Sequence, residues 1–305
     1  MSQDHGYHRA VMAQEVASLL KPIEKGVVVD ATYGGGGHTA VLLRELGVEI
    51  VAIDRDPTAI ERAVAHRRVR FVVGNYRDLA TILDGLGIDD VMAILFDFGV
   101  ASTHFDDPKR GFSYRSSGPL DMRMGPDATL TAATVVNEFS ENELADLIRR
   151  WGEEPAARRI ATAIVAARPL ATTDELALVI AAAVPAFRRR NAHPARRTFQ
   201  AIRMVVNDEL NAIVAGLDQA IDRLAPSGRL VAISYHSLED RLVKRRMAAG
   251  FGKCTCPPDL PVCGCGTAAG LKPLTKGAIR PAPSEIEINR RARSAKLRAA
   301  LKVAA

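Results

Sequence analysis

Val27-Val-Val-Asp-Ala-Thr-Tyr-Gly-Gly-Gly-Gly-His38, followed by Val48-Glu-Ile-Val-Ala-Ile-Asp54, spells a strand, a glycine turn, a helix and a second strand that ends on an acid. Val27 to Val29 form a β-branched run suited to a buried parallel strand. Gly34 to Gly37 permit positive φ and let the backbone approach a ligand closely, and Thr39 to Leu46 supply the next helix. In doubly wound nucleotide folds an acid at the end of the second strand accepts hydrogen bonds from both ribose hydroxyls, and Asp54 holds that place. The stretch reads as a pocket for a nucleoside-bearing cofactor. The plain alternative is a tight turn without a ligand, but one turn does not need four glycines and a second strand-end acid.

The spacing departs from G-x-G-x-x-G, because Thr39 stands where the last glycine would fall, and this disfavours a dinucleotide site. Asp30 ends the first strand, and acids at strand ends around a cationic sulfonium suit a methyltransferase better. Further strands are expected at Arg70 to Val73 and Val91 to Asp97, so that strand and helix alternate through the first hundred residues as in a parallel sheet. After Asp97 a loop rich in Gly, Pro and charge runs from Asp106 to Met124. Helices follow. Ser140-Glu-Asn-Glu143 and Thr172-Thr-Asp-Glu175 are capping boxes, and Leu144, Leu147, Ile148 and Trp151 recur on one helical face. From Phe199 to Leu224 one apolar stripe continues, long enough to bridge two domains, until Ala225-Pro-Ser-Gly228 stops it. Arg229 to Tyr235 then returns to the sheet, and Ser284-Glu-Ile-Glu-Ile-Asn289 alternates as an edge strand would. The expected organisation is an α/β domain, residues 1–105 and 208–305, interrupted by a helical domain at 106–207.

The 305 residues are 48% hydrophobic, enough for an ample core in one large or two moderate domains. The start of the chain has no basic-then-apolar leader, and no apolar run reaches membrane-spanning length, so a cytoplasmic protein without a membrane partner is expected. The net charge of +6 is unevenly placed: six arginines and no acid lie between Arg188 and Arg203, and nine Lys or Arg against two Glu lie between Lys272 and Lys302. The remainder is net negative. Arginine-rich segments on an otherwise acidic chain are the footprint of a phosphate polymer, with a solvated helix face and a basic tail as the bland alternative.

Several motifs together carry a family resemblance: His8 to Leu20, Gly34 to His38, Ala52 to Pro57, Arg110-Gly-Phe-Ser113, Gly118-Pro-Leu-Asp-Met-Arg-Met124, Arg197-Thr-Phe-Gln-Ala-Ile-Arg203, Ser234-Tyr-His-Ser-Leu-Glu-Asp-Arg241 and Arg291-Ala-Arg-Ser294. In this order, over nearly the whole chain, they resemble the bacterial 16S ribosomal RNA cytosine-N4 methyltransferase family. The resemblance implies a Rossmann-like class I methyltransferase sheet with an inserted all-helical domain. It further implies methyl transfer from S-adenosyl-L-methionine to the exocyclic N4 of a decoding-centre cytidine, with 16S ribosomal RNA in the small subunit as partner. A noncatalytic RNA-binding assembly factor is the alternative, and a small-molecule dehydrogenase a weaker third. An exposed face of the inserted domain could serve RNA or a second copy in a homodimer.

By the same resemblance Gly36, Gly37 and His38 line the cofactor pocket, in keeping with a glycine turn that presents backbone N–H groups. Asp54 takes the ribose diol. Tyr76 matches a usually aromatic position where a ring could pack on adenine; a core aromatic at a strand end is the equal alternative. Asp97 ends its strand at a position that contacts cofactor in the family and faces the target amine. The N4 lone pair is delocalised into the ring, so an acceptor that holds its N–H groups can turn that lone pair toward the methyl carbon. Because N4 is on the pairing edge, the cytidine must be unpaired or extruded.

The chain departs from the family just after Asp97, where His104 occupies a cofactor-contact position that is normally Gln; a neutral imidazole can donate or accept there, with one nitrogen for each. Cys254, Cys256, Cys263 and Cys265 form a compact cluster, but each pair has one intervening residue where structural zinc favours two or more, so no metal is assigned. A reduced loop is expected there. His236 and Glu239 read as structural or RNA-contacting rather than as acid and base. Arg188, Arg189, Arg190, Arg196 and Arg197 on the inserted domain, with Arg291 and Arg293 in the tail, are assigned to RNA phosphates.

Overall fold

The computed structural model of the chain describes residues 10–100, 102–185, 193–252 and 269–304. In chain order its elements begin with α1 (Ala13–Leu20), β1 (Val27–Asp30), α2 (Gly37–Glu45), β2 (Glu49–Asp54), α3 (Pro57–Glu61), β3 (Val69–Val73), α4 (Leu79–Gly85) and β4 (Val91–Asp97). Six helices follow: α5 (Ser102–Asp106), α6 (Ala132–Glu138), α7 (Glu141–Gly152), α8 (Ala157–Ala166), α9 (Thr173–Ala183) and α10 (Arg196–Val206). The chain continues with α11 (Glu209–Arg223), β5 (Leu224–Ser234), α12 (Ser237–Gly250), β6 (Leu271–Pro273), α13 (Pro283–Ile288) and β7 (Lys296–Lys302). It divides into two compact units, residues 1–99 with 210–305 and residues 100–209.

In the first unit the seven strands lie in the order β3-β2-β1-β4-β5-β7-β6. β1 to β5 run parallel, and β7 is antiparallel to both β5 and β6. This is the Rossmann-like class I methyltransferase sheet that the resemblance implies. Side chains alternate across the pleat, so each strand feeds two cores. Val29, Ile53, Ile94 and Phe96 face one side, with Leu79 and Leu83 of α4, Ile213 and Leu217 of α11 and Val243 of α12. Val28, Ile50, Ala93 and Leu95 face the other, with Val16 and Leu20 of α1 and Leu42 of α2. Coverage on both faces is why β1 and β4 read as continuous apolar runs. Chain order reverses between β1 and β4, which opens a crevice at their carboxyl ends.

Two expectations are corrected. The segment around Ser284 to Asn289 is the helix α13, with Pro283 in its first turn, where the missing N–H costs nothing, and Ile288 left two-thirds exposed at 66%. The antiparallel place in the sheet belongs to β7, which buries Leu297, Ala299 and Ala300 and leaves its charged residues at partly exposed positions. The apolar stripe from Phe199 to Leu224 is two helices. It breaks at Asn207 and at Asp208, whose φ is +49°. The buried Asn207 amide accepts from Met124 N–H and donates to the Met122 and Arg203 carbonyls, so it ties down a loop and caps α10.

The second unit has a single apolar core to which α6 to α10 all contribute. Both capping boxes form: Ser140 Oγ accepts from Glu143 N–H while the Glu143 carboxylate accepts from Ser140 N–H at 2.8 Å, and Glu175 does the same for Thr172 at 3.1 Å. Leu144, Leu147 and Ile148 are buried, and Trp151 packs partly buried against them. Among the described residues no helix is long and apolar enough to cross a membrane.

Candidate active site

At the end of β1 the chain is stitched to both neighbouring strands. Ala31 N–H donates to the Leu95 carbonyl of β4, and Tyr33 N–H donates to the Ile53 carbonyl of β2. The glycine turn then folds back: Gly34 (φ +52°) and Gly36 (φ +75°) take left-handed conformations, and Gly36 N–H donates to the Tyr33 carbonyl. A Cβ at Gly36 would fall 2.5 Å from the Tyr33 hydroxyl, so the position needs glycine for both φ and space. At Gly35 nothing lies within 4 Å of where a Cβ would sit. Gly36 is the N-cap of α2 and supplies no side-chain cap, so the first backbone N–H groups of that helix, with its positive dipole end, face the crevice.

Three carboxylates stand at the ends of β1, β2 and β4. Asp30 is wholly buried; its Oδ2 accepts from Thr39 Oγ1 at 2.7 Å. Burial pushes its pKa up, against the pull of His38 and of the Thr39 and Thr32 hydrogen bonds. Asp54 braces the turn, with Oδ2 accepting from Gly34 N–H at 2.6 Å and Oδ1 accepting from Asp56 N–H at 2.9 Å. Asp97 keeps a fifth of its side chain exposed, at 19%, and its Oδ1 accepts from Gly99 N–H at 3.2 Å. Its own N–H donates to Thr32 Oγ1 at 2.7 Å, which ties the end of β4 to β1. Burial raises the pKa of Asp97; His38, a hydrogen bond donated by the Tyr235 hydroxyl and the Gly99 N–H oppose that, and the charge of Asp30 adds to it.

His38 lies between the acids. Its Nε2 is 2.9 Å from the Val11 carbonyl, which can only accept, so that nitrogen carries a proton. Nδ1 is 3.7 Å from Asp97 Oδ2, so protonation there would make an ion pair. Tyr235 follows β5, the strand beside β4, and burial and the neighbouring Asp97 charge raise its phenol pKa well above 10, so it remains a hydrogen-bond donor. Glu239, 1% exposed, anchors it by accepting from Tyr235 N–H at 2.7 Å and from His236 N–H at 3.2 Å. His236 is the N-cap of α12 and forms a capping box with Glu239. The pair is built into a helix start.

Tyr76 opens the turn after β3 and packs into an aromatic cluster, edge-on to Phe96 at 5.6 Å and tilted against Phe98 at 5.8 Å. The ring is only partly buried in that cluster. His104 is in the second unit, on α5, buried at 5% and stacked on Phe112 with centroids 5.0 Å apart. Arg196 and Arg197 are exposed at the start of α10, the latter bonded to the Glu153 carbonyl and 3.6 Å from the Glu154 carboxylate. Arg291 and Arg293 are exposed on the 3-10 turn Arg290–Ser294 of the first unit. Arg188, Arg189 and Arg190 and the four cysteines lie outside the described residues.

The structure therefore gathers Gly36, Gly37, His38, Asp54 and Asp97 around one crevice and adds residues that the sequence reading did not single out: Thr32, Gly99 and Tyr235. Tyr235 had a usable signal, since it follows the strand next to β4 at the carboxyl edge. Thr39, which stands where a dinucleotide motif has its last glycine and lies in the first turn of α2, is the donor that holds Asp30.

Comparison with known proteins identifies the family of the chain. A family model described as the MraW methylase family matches residues 5–303. The chain is 45% identical to the ribosomal RNA small subunit methyltransferase H of Heliobacterium mobile, over 97% of this chain and 99% of that protein. Proteins of the same name from Symbiobacterium thermophilum and Anaeromyxobacter dehalogenans are 46% and 47% identical, the first covering 98% of both chains and the second 97% of this chain and 98% of its own. With a match over almost its full length, the chain belongs to the MraW methylase family.

Proposed function

We propose that this chain methylates the exocyclic N4 of a cytidine in the decoding centre of 16S ribosomal RNA, acting in the cytoplasm on the small subunit. The observation that carries the reading is the partly buried acid Asp97 at the end of β4, held by Gly99, Tyr235 and Thr32 beside the glycine turn and Asp54.

The residues fit S-adenosyl-L-methionine. Asp54, half-buried at the end of β2, places a carboxylate where a ribose diol can donate to it, the open start of α2 suits a carboxylate, and the acids Asp30 and Asp97 suit a sulfonium. Tyr76 offers a ring face to the adenine. When bound, the cofactor supplies an electrophilic methyl carbon whose bond to sulfur breaks as the sulfonium becomes a neutral thioether.

Asp97 accepts hydrogen bonds from the N4 amino group and so turns its lone pair out of conjugation and toward that carbon. As the new N–C bond forms the nitrogen sheds one proton, which Asp97 is placed to take. Burial raises its pKa, which makes the ionised carboxylate a better base than an exposed aspartate. Desolvation in the crevice strengthens both effects.

The test is transfer of labelled methyl to small subunits that lack the native cytidine methylation, with naked 16S RNA alongside and the nucleoside identified by mass. Label in N4-methylcytidine is expected from the wild type. Asp97→Asn should lose at least about a hundredfold in turnover, the usual reach of a positioned base, while still binding cofactor. Full turnover by that variant would remove Asp97 from the chemistry, and RNA binding without any methyl transfer would favour the assembly-factor reading.

A further inference from the structure

The second unit carries an aromatic stack at its surface. The rings of Tyr114 and His193 lie 4.5 Å apart, 16° from parallel. Phe199, buried on α10, supports Tyr114 edge-on at 5.7 Å. His193 Nδ1 accepts from Ala195 N–H at 3.3 Å, which fixes the ring in its plane and puts the proton of the neutral form on Nε2. Tyr114 covers one face of His193, yet the residue is exposed, so its exposure belongs to the opposite face and the outer edge.

Desolvation, and then the charge of Arg115, hold the His193 pKa below its ordinary value, so the ring is uncharged at neutral pH. Cations flank it. The exposed Arg115 guanidinium sits 5.9 Å from the centre of the Tyr114 ring, and the exposed Arg196 is tied to His193 by a backbone bond of 3.1 Å to its carbonyl. A flat neutral ring, held from behind and from its edge and bordered by arginines, is the arrangement that binds an unpaired base by stacking and its phosphates by charge. The core of this unit gains nothing from the outward face.

We propose that the outer face of His193, backed by Tyr114, stacks one unpaired nucleobase of the RNA substrate, with Arg115 and Arg196 on the adjoining phosphates. This rests on the RNA methyltransferase reading and adds a base-binding position to it. Stacking on a π-face is sequence-tolerant, so the platform holds a nucleotide other than the target and leaves the choice of cytidine to the active site.

The experiment uses the full chain with His193→Ala, His193→Gln and His193→Phe. Two quantities are read: anisotropy of a labelled single-stranded oligoribonucleotide that spans the target cytidine, and KM for RNA in methyl transfer. Gln keeps an acceptor without a ring, and Phe keeps a ring without the acceptor. Ala and Gln should weaken RNA binding by about five- to a hundredfold, the range for loss of one stacked base, with kcat and cofactor affinity unchanged, while Phe binds as the wild type does. Wild-type binding by Gln, or a loss with Phe equal to that with Ala, overturns the platform. A wild type that transfers no methyl would overturn the underlying reading instead, so the two failures are distinct.

Discussion

Asp54→Ala separates two tasks that one carboxylate performs. In the structure its oxygens accept from Gly34 N–H at 2.6 Å and Asp56 N–H at 2.9 Å, so it clamps the glycine turn to the end of β2 before any ligand arrives. A hydrogen bond to a charged group contributes about 1.5 to 3 kcal/mol net. For two such bonds on a half-buried acid, discounted for residual solvent, the substitution should cost about 2 to 4 kcal/mol of stability. In a unit of about 200 residues that lowers Tm by about 4 to 16 °C. Loss of the ribose contact adds a separate penalty of about 1.5 to 3 kcal/mol in all, which weakens cofactor binding by about ten- to a hundredfold. Scanning calorimetry reads the first effect, and titration calorimetry with S-adenosyl-L-methionine, run well below the variant's Tm, reads the second. Asp54→Asn keeps one acceptor oxygen and should fall between on both scales. A lowered Tm with an unchanged dissociation constant would leave Asp54 as a clamp only; no change in either would refute the reasoning altogether.

Two further substitutions probe the buried acids. Tyr235→Phe removes the hydroxyl that lowers the pKa of Asp97, so that pKa, already raised by burial, rises further. Since the ionised form is the acceptor, the acid limb of kcat/KM should move to higher pH, and a limb that stays in place or moves down would refute the contact. Thr39→Val removes the 2.7 Å donor to Asp30 and should cost about 1.5 to 3 kcal/mol in urea unfolding at neutral pH. The sign of its pH dependence follows from burial: with the folded pKa of Asp30 above the unfolded one, the ionised carboxylate opposes folding, and that opposition fades as pH falls through the raised value. The deficit of the variant should therefore shrink in mild acid, and a deficit that grows would contradict the assignment.

What could be read from the sequence follows the physics of each segment. β1, β2 and β4 were legible because strands buried on both faces must be continuously apolar, and their terminal acids stood out against that background. Both capping boxes were legible because the motif closes within four residues. The stretch from Ser284 misled because period-two alternation over six residues also fits a short helix with an exposed isoleucine, and Pro283 was the overlooked signal. β7 was hidden because its buried face is largely alanine, which carries little hydrophobic contrast. The break at Asn207 was invisible because the amide's partners, Met122 and Met124, are more than eighty residues away. The same holds for the site: strand-end acids announce themselves locally, whereas the Tyr235 contact to Asp97 depends on two strands adjoining in the sheet.

The electrostatics of the crevice give the acids a common purpose. Asp30 and Asp97 each raise their pKa through burial, Asp30 raises Asp97 further, and His38 lowers both. Left alone, two buried carboxylates oppose folding, and a fold selected for stability would replace them with apolar side chains of similar volume. A positive ligand reverses that sign by supplying the charge the site lacks. With the cofactor bound, Asp97 would lose its negative charge on taking the N4 proton, matching the positive charge that a sulfonium gives up when it yields its methyl group. The net charge of the pocket is then the same before and after the step. In its ionised form Asp30, wholly buried and bonded to Thr39, makes the crevice more favourable to the cationic substrate than to the neutral product, which is the direction turnover needs.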